Sequence, residues 1–141
     1  MSRIMGVDYG QKRTGIAISD KLQIISMPFC TFKNVSIEKD AIKILKVATD
    51  RNVSIIVLGL PLNMNGTISI MAKIIYNLIK QIIYFEPTMQ IVTIDERLTT
   101  LQAEKMLIRE MNISRKKRKF IRDKIAATFI LKVYLDSQST S

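Results

Sequence analysis

The sequence predicts an α/β fold in which a mixed sheet carries helices on both of its faces. The first third of the chain alternates short, partly β-branched apolar runs with turn residues, as in an antiparallel meander. The remainder alternates apolar positions at helical spacing with short apolar strands, which is typical of β-α-β crossovers. For 141 residues with 48% hydrophobic content, we expect a single domain over residues 1–136 and a flexible polar tail over residues 137–141.

Four strands and one helix are predicted in the first part of the chain. The three strands of the meander cover residues 3–9, 14–20 and 24–32. Ser36 is a favourable N-cap residue, and the apolar positions after it recur at helical spacing as far as Arg51. The almost wholly apolar run 54–59 predicts a central parallel strand that is covered on both faces.

Three helices and one further strand are predicted in the rest of the chain. Pro, Thr and Asn residues separate them at positions that are typical of turns and helix ends. In order, the chain contains a loop over residues 60–67, a helix that ends at Phe85, a strand over residues 90–94, a helix that Thr99 or Thr100 caps and Asn112 ends, and a last helix over residues 117–135.

The charge balance indicates a polyanionic partner. Lys and Arg number 22 and Asp and Glu number 12, so the formal net charge is +10. Nucleic acid is the first candidate and an anionic membrane surface is a weaker one, while a Lys-rich chain that is merely well solvated is the simplest alternative. Lys73 and Lys80 interrupt the longest apolar stretch, so we expect no membrane-spanning segment.

Residue types that the chain lacks exclude several mechanisms. There is no His, which removes every mechanism that uses imidazole as a base or as a metal ligand. The single cysteine, Cys30, cannot form an intramolecular disulfide or a thiolate zinc site, and it suits a core position. This cysteine usage predicts a reducing, cytoplasmic location.

Carboxylates follow the ends of predicted strands. Asp8 ends the first strand, and Asp95 and Glu96 follow the fifth. Open α/β sheets bind ligands at the carboxyl ends of their strands, and small residues near Asp123 would let the last helix bring that acid to the same edge. Such oxygen ligands suit Mg²⁺ or Mn²⁺. Two of these ions can activate a water and stabilise the leaving oxygen in phosphodiester hydrolysis.

Each of these acids also has a simpler interpretation. Asp8 can be a turn-forming residue. The pair Asp95 and Glu96 can form a strand-end ion pair with Arg97 at the entry to a helix. Asp123, which stands between two basic residues, can lie on a solvated helix face. None of the acids therefore identifies a site when it is taken alone.

Four segments of the chain, taken together and in order, closely resemble the YqgF (RuvX) family. They cover residues 6–15, 59–66, 95–100 and 123–127. Members of that family are described as pre-16S rRNA nucleases and as similar to Holliday junction resolvases, with an RNase H-like fold. The resemblance extends over nearly the whole chain. It implies a mixed five-stranded sheet, metal-dependent cleavage of nucleic acid and an acidic site at Asp8, Glu96 and Asp123.

Two positions depart from the patterns of these proteins. Residues 59–61, at the exit of the fourth strand, contain no acid, whereas related resolvases usually carry a carboxylate near there. The second metal ligand is then Glu96 or Asp95. Asn65 stands where family members often have Asp, so this loop carries less negative charge than is usual.

Basic and polar residues near the acids predict how a substrate is held. Lys12 and Arg13 can contact phosphates, and Arg97 can neutralise charge at the scissile group. Asn63 can hydrogen-bond a phosphate or a sugar, or it can only shape its turn. The densest run of cations, which we expect to track a phosphate backbone, comprises Arg115, Lys116, Lys117, Arg118 and Lys119. Exposed turn cations and a solvated or disordered run are the alternatives.

The resemblance also implies a cellular task, which is to process the 5′ end of the 16S rRNA precursor. We expect the small ribosomal subunit as a further partner, and a monomer or a weak homodimer. One alternative is a Holliday junction resolvase, whose symmetric cleavage needs two active sites. Another is an RNA-binding assembly factor without activity. The last is a nucleotide-binding module similar to actin-like ATPases and sugar kinases, although those proteins enclose ATP between two such domains.

Overall fold

The structure is a computed structural model that describes residues 2–97 and 115–139, with the side chains of residues 115–124 outside the description. In these ranges the elements are β1 (Arg3–Tyr9), β2 (Arg13–Ser19), β3 (Ser26–Lys33), α1 (Ile37–Asp50), β4 (Val53–Leu60), α2 (Ile70–Phe85), β5 (Gln90–Asp95) and α3 (Arg115–Ser139). The predicted strands are confirmed, with ends that shift by one or two residues. The helix predicted between Thr99 or Thr100 and Asn112 lies outside the described residues.

The strands form one five-stranded sheet in the order β3-β2-β1-β4-β5. β1 pairs antiparallel with β2, and β2 with β3, whereas the β1–β4 and β4–β5 pairs are parallel. Short turns permit the antiparallel pairs, and α1 and α2 supply the crossovers that parallel pairs require. The predicted mixed sheet is therefore confirmed.

Each face of the sheet packs against different helices. Alternate residues of a strand point to opposite faces, so Met5 and Val7 of β1 lie in the core beneath α1 and α2, whereas Ile4 packs on the opposite side. α1 and α2 contribute Ile44 and Ile75 to the first core. α3 closes the second core. The predicted arrangement with helices on both faces is confirmed.

α3 approaches the sheet closely at Gly6 of β1. A Cβ atom at this position would lie 2.7 Å from the main-chain oxygen of Ala127 and 2.7 Å from the Cβ atom of Leu131. Real Cβ atoms are not found at such distances, so glycine is what lets the backbone of α3 reach β1. Of the two small residues predicted to allow this approach, Ala126 and Ala127, the second is buried in the second core and the first is partly exposed.

Side-chain hydrogen bonds account for the observed helix ends. Ser36 caps α1 as predicted, and its hydroxyl accepts from the main-chain nitrogen of Lys39 at 3.1 Å. α3 continues to Ser139, which corrects the predicted end at Leu135. The hydroxyls of Ser137 and Ser139 donate to main-chain oxygens of the preceding turn, so the first part of the predicted tail is helical. No helix in the described ranges, α3 included, is both long and apolar enough to cross a bilayer.

Candidate active site

The side chains of Asp8 and Glu96 meet at the carboxyl ends of β1 and β5. Asp8 lies on the face of β1 that carries α3, two residues after Gly6, and Glu96 directly follows the last residue of β5. The two side chains form a hydrogen bond with each other, and both are partly buried. β4 lies between β1 and β5 in the sheet, so the contact crosses one strand. The two residues are also remote in sequence.

Gly59 of β4 makes room for this contact. A Cβ atom at this position would lie 2.5 Å from Oε1 of Glu96 and 2.6 Å from Cδ1 of Ile130. A larger residue would therefore push the Glu96 carboxylate away from Asp8. The exit of β4 thus contributes space for the acid that follows β5.

The carboxyl group of Glu96 binds its proton more tightly than a solvated glutamate does. Burial raises the pKa of Glu96 to about 8, and the hydrogen bond and charge of Asp8, together with the charge of Asp95, act in the same direction. Two carboxylates at such close range cannot both ionise without a counter-charge. Since all the donors of the pair are oxygens, the counter-charge that suits it is a hard divalent cation such as Mg²⁺ or Mn²⁺.

Asp95 pairs with Arg97 and not with the acidic pair. Nη2 of Arg97 donates to Oδ2 of Asp95 at 2.7 Å, and Nε donates to Oδ1 at 3.0 Å. This two-point contact holds the pKa of Asp95 below its usual range. The strand-end ion pair that the sequence allows is therefore present for Asp95, whereas the side chain of Glu96 meets Asp8.

Arg97 also fastens the loop that follows β4. Its Nη1 donates to the main-chain oxygen of Met64 at 3.1 Å. Within the loop, the side-chain amide of Asn63 donates to Oγ1 of Thr67 at 2.9 Å, and that hydroxyl donates to Oδ1 of Asn65 at 2.7 Å. Asn63 therefore shapes the turn, and Arg97 ties the turn to the end of β5.

Lys12 is exposed in the turn between β1 and β2, and Arg13 is exposed as the first residue of β2, at the edge where Asp8 lies. Asn34 fixes this turn from the end of β3. Its Nδ2 donates to the carbonyl of Gly10 at 2.8 Å, and its main-chain nitrogen donates to the carbonyl of Lys12 at 2.9 Å. Sequence reasoning missed Asn34 because its partners lie on another strand connection, and a single Asn carries no local signal of such contacts.

A buried polar pair anchors the end of β1 on the opposite face of the sheet. The hydroxyl of Tyr9 donates to Oδ2 of Asp40 at 2.6 Å, and Oδ1 of Asp40 accepts from the main-chain nitrogen of Val35 at 3.0 Å. Burial, together with the bond to Asp40, raises the pKa of the Tyr9 hydroxyl. Sequence reasoning missed this pair, because an acid in the first turn of a helix is common and needs no buried partner.

The chain as a whole matches the family model RuvX, described as Holliday junction resolvase, over residues 2–137. It belongs to the RuvX family. A relative from Endomicrobium trichonymphae is 59% identical over 139 residues, which cover 99% of each chain. A relative from Natranaerobius thermophilus is 45% identical over 136 residues, which cover 96% of this chain and 95% of the relative. Both are named "Putative pre-16S rRNA nuclease", and the resemblance predicted from the sequence is confirmed.

Solved structures of resolvases share the fold of this RuvX protein at low sequence identity. The Thermus thermophilus RuvC structure has a TM-score of 0.59 at 10% identity and covers 98% of this chain and 96% of that chain. The complex of Fowlpox virus resolvase with its substrate Holliday junction DNA has a TM-score of 0.53 at 17% identity and covers 96% and 98%. The predicted RNase H-like fold is confirmed.

Several predicted site residues of this RuvX protein lie outside the described side chains. Asp123 belongs to α3, but its side chain is not described. The same holds for the basic run at the start of α3, which comprises Arg115, Lys116, Lys117, Arg118 and Lys119. Among the side chains that are described, no three acidic or cysteine residues form a group that could hold a metal ion. The predicted third ligand is thus a residue beyond that description.

Proposed function

We propose that this RuvX protein is a metal-dependent nuclease that hydrolyses phosphodiester bonds with two Mg²⁺ or Mn²⁺ ions, held by Asp8, Glu96 and Asp123. The family and the names of the relatives support a nuclease function. The observation that carries the proposed metal site is the hydrogen-bonded pair of Asp8 and Glu96.

The chemistry of the acidic pair supplies a reason for metal binding. A proton reduces the charge that Asp8 and Glu96 would otherwise carry together, and a divalent cation can replace that proton. When bound, such ions activate a water and stabilise the leaving oxygen. The chain contains no His, so its own residues offer carboxylates and no imidazole for this task.

The packing of α3 supports Asp123 as the third ligand. Ala127 and the following turn of α3 contact Gly6, whereas Gly15 has Ala127 as its nearest neighbour, at 3.7 Å from a Cβ atom built there. Gly15 is the partner of Asp8 in the β1–β2 pair. α3 therefore comes closer to Asp8 towards its N-terminal end. Asp123 lies one turn before Ala127, about 6 Å further along the axis in this direction.

We assign Asp95 and Arg97 the task of positioning Glu96, which they flank in the sequence. The main-chain nitrogen of Arg97 donates to Oδ1 of Asp95 at 3.0 Å, so their ion pair fixes the backbone on both sides of Glu96. Of the two acids that the sequence leaves open, Glu96 is thus the proposed ligand. The side chain of Arg97 remains 38% exposed, which leaves an edge of the guanidinium that can meet a phosphate.

RNA is the proposed substrate. Both relatives are named for pre-16S rRNA, and the net charge of +10 suits a polyanion. The proposed task is to trim the 5′ end of the 16S rRNA precursor in the cytoplasm, with the small ribosomal subunit as a further partner. Holliday junction DNA is the second candidate substrate, and the description of the family model favours it.

The substitution Asp8→Asn tests this proposal. Cleavage of a 16S precursor under Mg²⁺ should fall by about 10³-fold or more, because the metal site loses a charged ligand. RNA binding should change by less than about threefold, since phosphate contacts dominate it. Asp50→Asn, which alters an exposed carboxylate at the end of α1, should leave cleavage unchanged. A four-way DNA junction tested in parallel separates the two substrates, and equal cleavage by Asp8→Asn and the unaltered protein would overturn the proposal.

A further inference from the structure

The sheet face that carries Asp8 continues across β2 and β3. The register places Asp8 opposite Gly15, and Gly15 opposite Thr31. Further towards the turn that follows Asp8, Arg13 of β2 lies opposite Lys33 of β3. Partner residues share a face of a sheet, as do residues two apart on one strand, so Arg13, Thr31 and Lys33 lie on the same face as Asp8.

This part of the face is open. Further along β2, Ala17 is buried against α3, but Arg13, Thr31 and Lys33 are all exposed. Gly15, which lies between Asp8 and Thr31, faces Ala127 of α3 at 3.7 Å from a Cβ atom built there, so the exposed surface begins beyond Gly15. The three exposed residues, which we name the β2–β3 platform, form this surface on the same face as Asp8.

The platform concentrates positive charge, which lowers the stability of the sheet. Arg13 and Lys33 are direct partners across an antiparallel pair, where like charges destabilise a sheet. Within the described part of the chain these two cations have no carboxylate partner, so they are suited to an anionic ligand.

Hydrogen bonds hold the platform in place. Asn34 directly follows Lys33, and its Oδ1 accepts from Oγ1 of Thr14 at 2.5 Å while its Nδ2 donates to Gly10 at 2.8 Å. These bonds join the end of β3 to β2 and to the turn that follows β1. The backbones that carry Arg13 and Lys33 are thus fixed before a ligand arrives, which lowers the entropic cost of binding.

The distance from the acidic pair indicates which part of a substrate the platform reaches. Strands lie about 4.8 Å apart and residues rise about 3.4 Å along a strand, so the Cα atoms of Asp8 and Lys33 are roughly 12 Å apart. A strand of nucleic acid advances about 3.4 Å per nucleotide along its helix axis. Lys33 is therefore suited to phosphates beside the scissile one and not to the scissile phosphate itself.

We propose that the β2–β3 platform binds the sugar-phosphate backbone about two to four nucleotides from the scissile phosphate. This inference rests on the proposed function, because it takes the acidic pair as the site of cleavage. Arg13 and Lys33 bind phosphates by charge, and the hydroxyl of Thr31 donates to a phosphate or sugar oxygen. Such contacts fix the register of the substrate without reading its sequence. Lys33 was missed in the sequence because only the strand register makes it a neighbour of Arg13.

A comparison of Lys33→Gln with Lys46→Gln tests the proposal by binding. Both remove one exposed lysine charge, but Lys46 lies on α1, which packs on the other face of the sheet. In an Asp8→Asn background that prevents cleavage, Lys33→Gln should weaken binding of a 16S precursor fragment about fivefold near 0.1 M salt. The slope of log affinity against log salt should fall by about one for Lys33→Gln and stay unchanged for Lys46→Gln. Equal slopes for the two variants would overturn the proposal.

A series of shortened substrates tests the position of the contact. Substrates are trimmed one nucleotide at a time from either side of the cleavage point, and cleavage is compared for Lys33→Gln and the unaltered protein. The variant should have a several-fold higher KM on long substrates. The difference in KM between the variant and the unaltered protein should vanish when the substrate is trimmed to fewer than about four nucleotides on one side of the cleavage point. Trimming the other side should not remove it. A difference that persists on substrates with no flank would refute the proposed position.

The two proposals fail in different ways. If the unaltered protein cleaves neither RNA nor a DNA junction under Mg²⁺ or Mn²⁺, the proposed function is wrong. The selective change in salt slope for Lys33→Gln would then still show a nucleic acid surface. Suppose instead that cleavage is normal and that Lys33→Gln and Lys46→Gln have equal slopes of log affinity against log salt. The proposed role of the platform would then be wrong, and the proposed nuclease function would stand.

Discussion

The two faces of the sheet differ in how closely their helices approach the strands. On the face of α1 and α2, large side chains such as Met5 and Ile56 are fully buried and fill the space between sheet and helix. On the face of α3, Gly6 and Gly59 leave that space empty of side chains, and α3 and the Glu96 carboxylate occupy it. Both faces gain stability from buried side chains, but the acidic end of the α3 face also depends on two glycines whose missing side chains leave room for α3 and Glu96.

This difference predicts opposite responses to substitution. The face of α1 and α2 should be damaged when atoms are removed, since cavities form in a close-packed core. The face of α3 should be damaged when atoms are added, because helix and sheet backbones are already in contact at Gly6. Substitutions on each face therefore test whether the two faces differ in this way.

The largest effect is expected for Gly6→Ala. The added Cβ atom would lie 2.7 Å from the main-chain oxygen of Ala127, and a helix backbone cannot move aside as a flexible side chain can. We expect a loss of about 3 kcal/mol in the free energy of unfolding, measured by urea denaturation. Cleavage should fall as well, because a displaced α3 carries the proposed ligand Asp123 away from Asp8.

Gly15→Ala provides the matched control for this prediction. It makes the same change on the same face, but its Cβ atom would meet Cβ of Ala127 at 3.7 Å, which is an ordinary contact. The free energy of unfolding should change by less than about 1 kcal/mol. Equal destabilisation by Gly6→Ala and Gly15→Ala would mean that the approach of α3 at Gly6 does not limit the packing.

The next effect is a pH dependence that arises from Glu96. Its pKa is about 8 in the folded protein against an ordinary value of 4.5 for a solvated Glu, so between these values the folded chain binds more protons than the unfolded chain. In the presence of EDTA, stability should therefore fall as pH rises from about 5 to 8, by about 2 to 3 kcal/mol. Urea denaturation at a series of pH values measures this slope.

Removal of the carboxylate should abolish that slope. Glu96→Gln cannot ionise, so its stability should be nearly constant between pH 5 and 8, while Glu38→Gln, an exposed control on α1, should keep the slope. Saturating Mg²⁺ should reduce the slope of the unaltered protein, since the cation replaces the proton. A flat profile for the unaltered protein in EDTA would show that Asp8 and Glu96 do not share a proton.

Local patterns account for how much of the fold the sequence predicts. The strands were predicted because alternation and apolar runs are read within a few residues, and Ser36 was predicted as a cap because its hydrogen bond spans three residues. The end of α3 was predicted too early, because polar residues at a helix end give no signal that their hydroxyls bond to the preceding turn. Such errors concern single elements and leave the topology intact.

The candidate site was proposed from several segments taken together, because no acid identifies it alone. Asp8 was identified because an acid that ends an apolar strand is unusual. Asp95 and Glu96 could not be ranked, because adjacent residues point in different directions and the path of the chain after β5 decides which one meets Asp8. Gly59 and Lys33 acquire their partners through the register of remote strands, and no local pattern reports that register.

The smallest effect is expected on the face of α1 and α2, for Tyr9→Phe. The substitution leaves Oδ2 of the buried Asp40 without its hydroxyl partner, so unfolding should become easier by about 1 to 2 kcal/mol. Tyr84→Phe, at a side chain that is 78% exposed, should change stability by less than about 0.5 kcal/mol. Cleavage by Tyr9→Phe should stay within about twofold, because the Tyr9 ring lies in the core of the face opposite Asp8. If Tyr9→Phe instead lowered cleavage as much as Gly6→Ala does, the two faces would not act separately, and the acidic pair would depend on the core beneath α1.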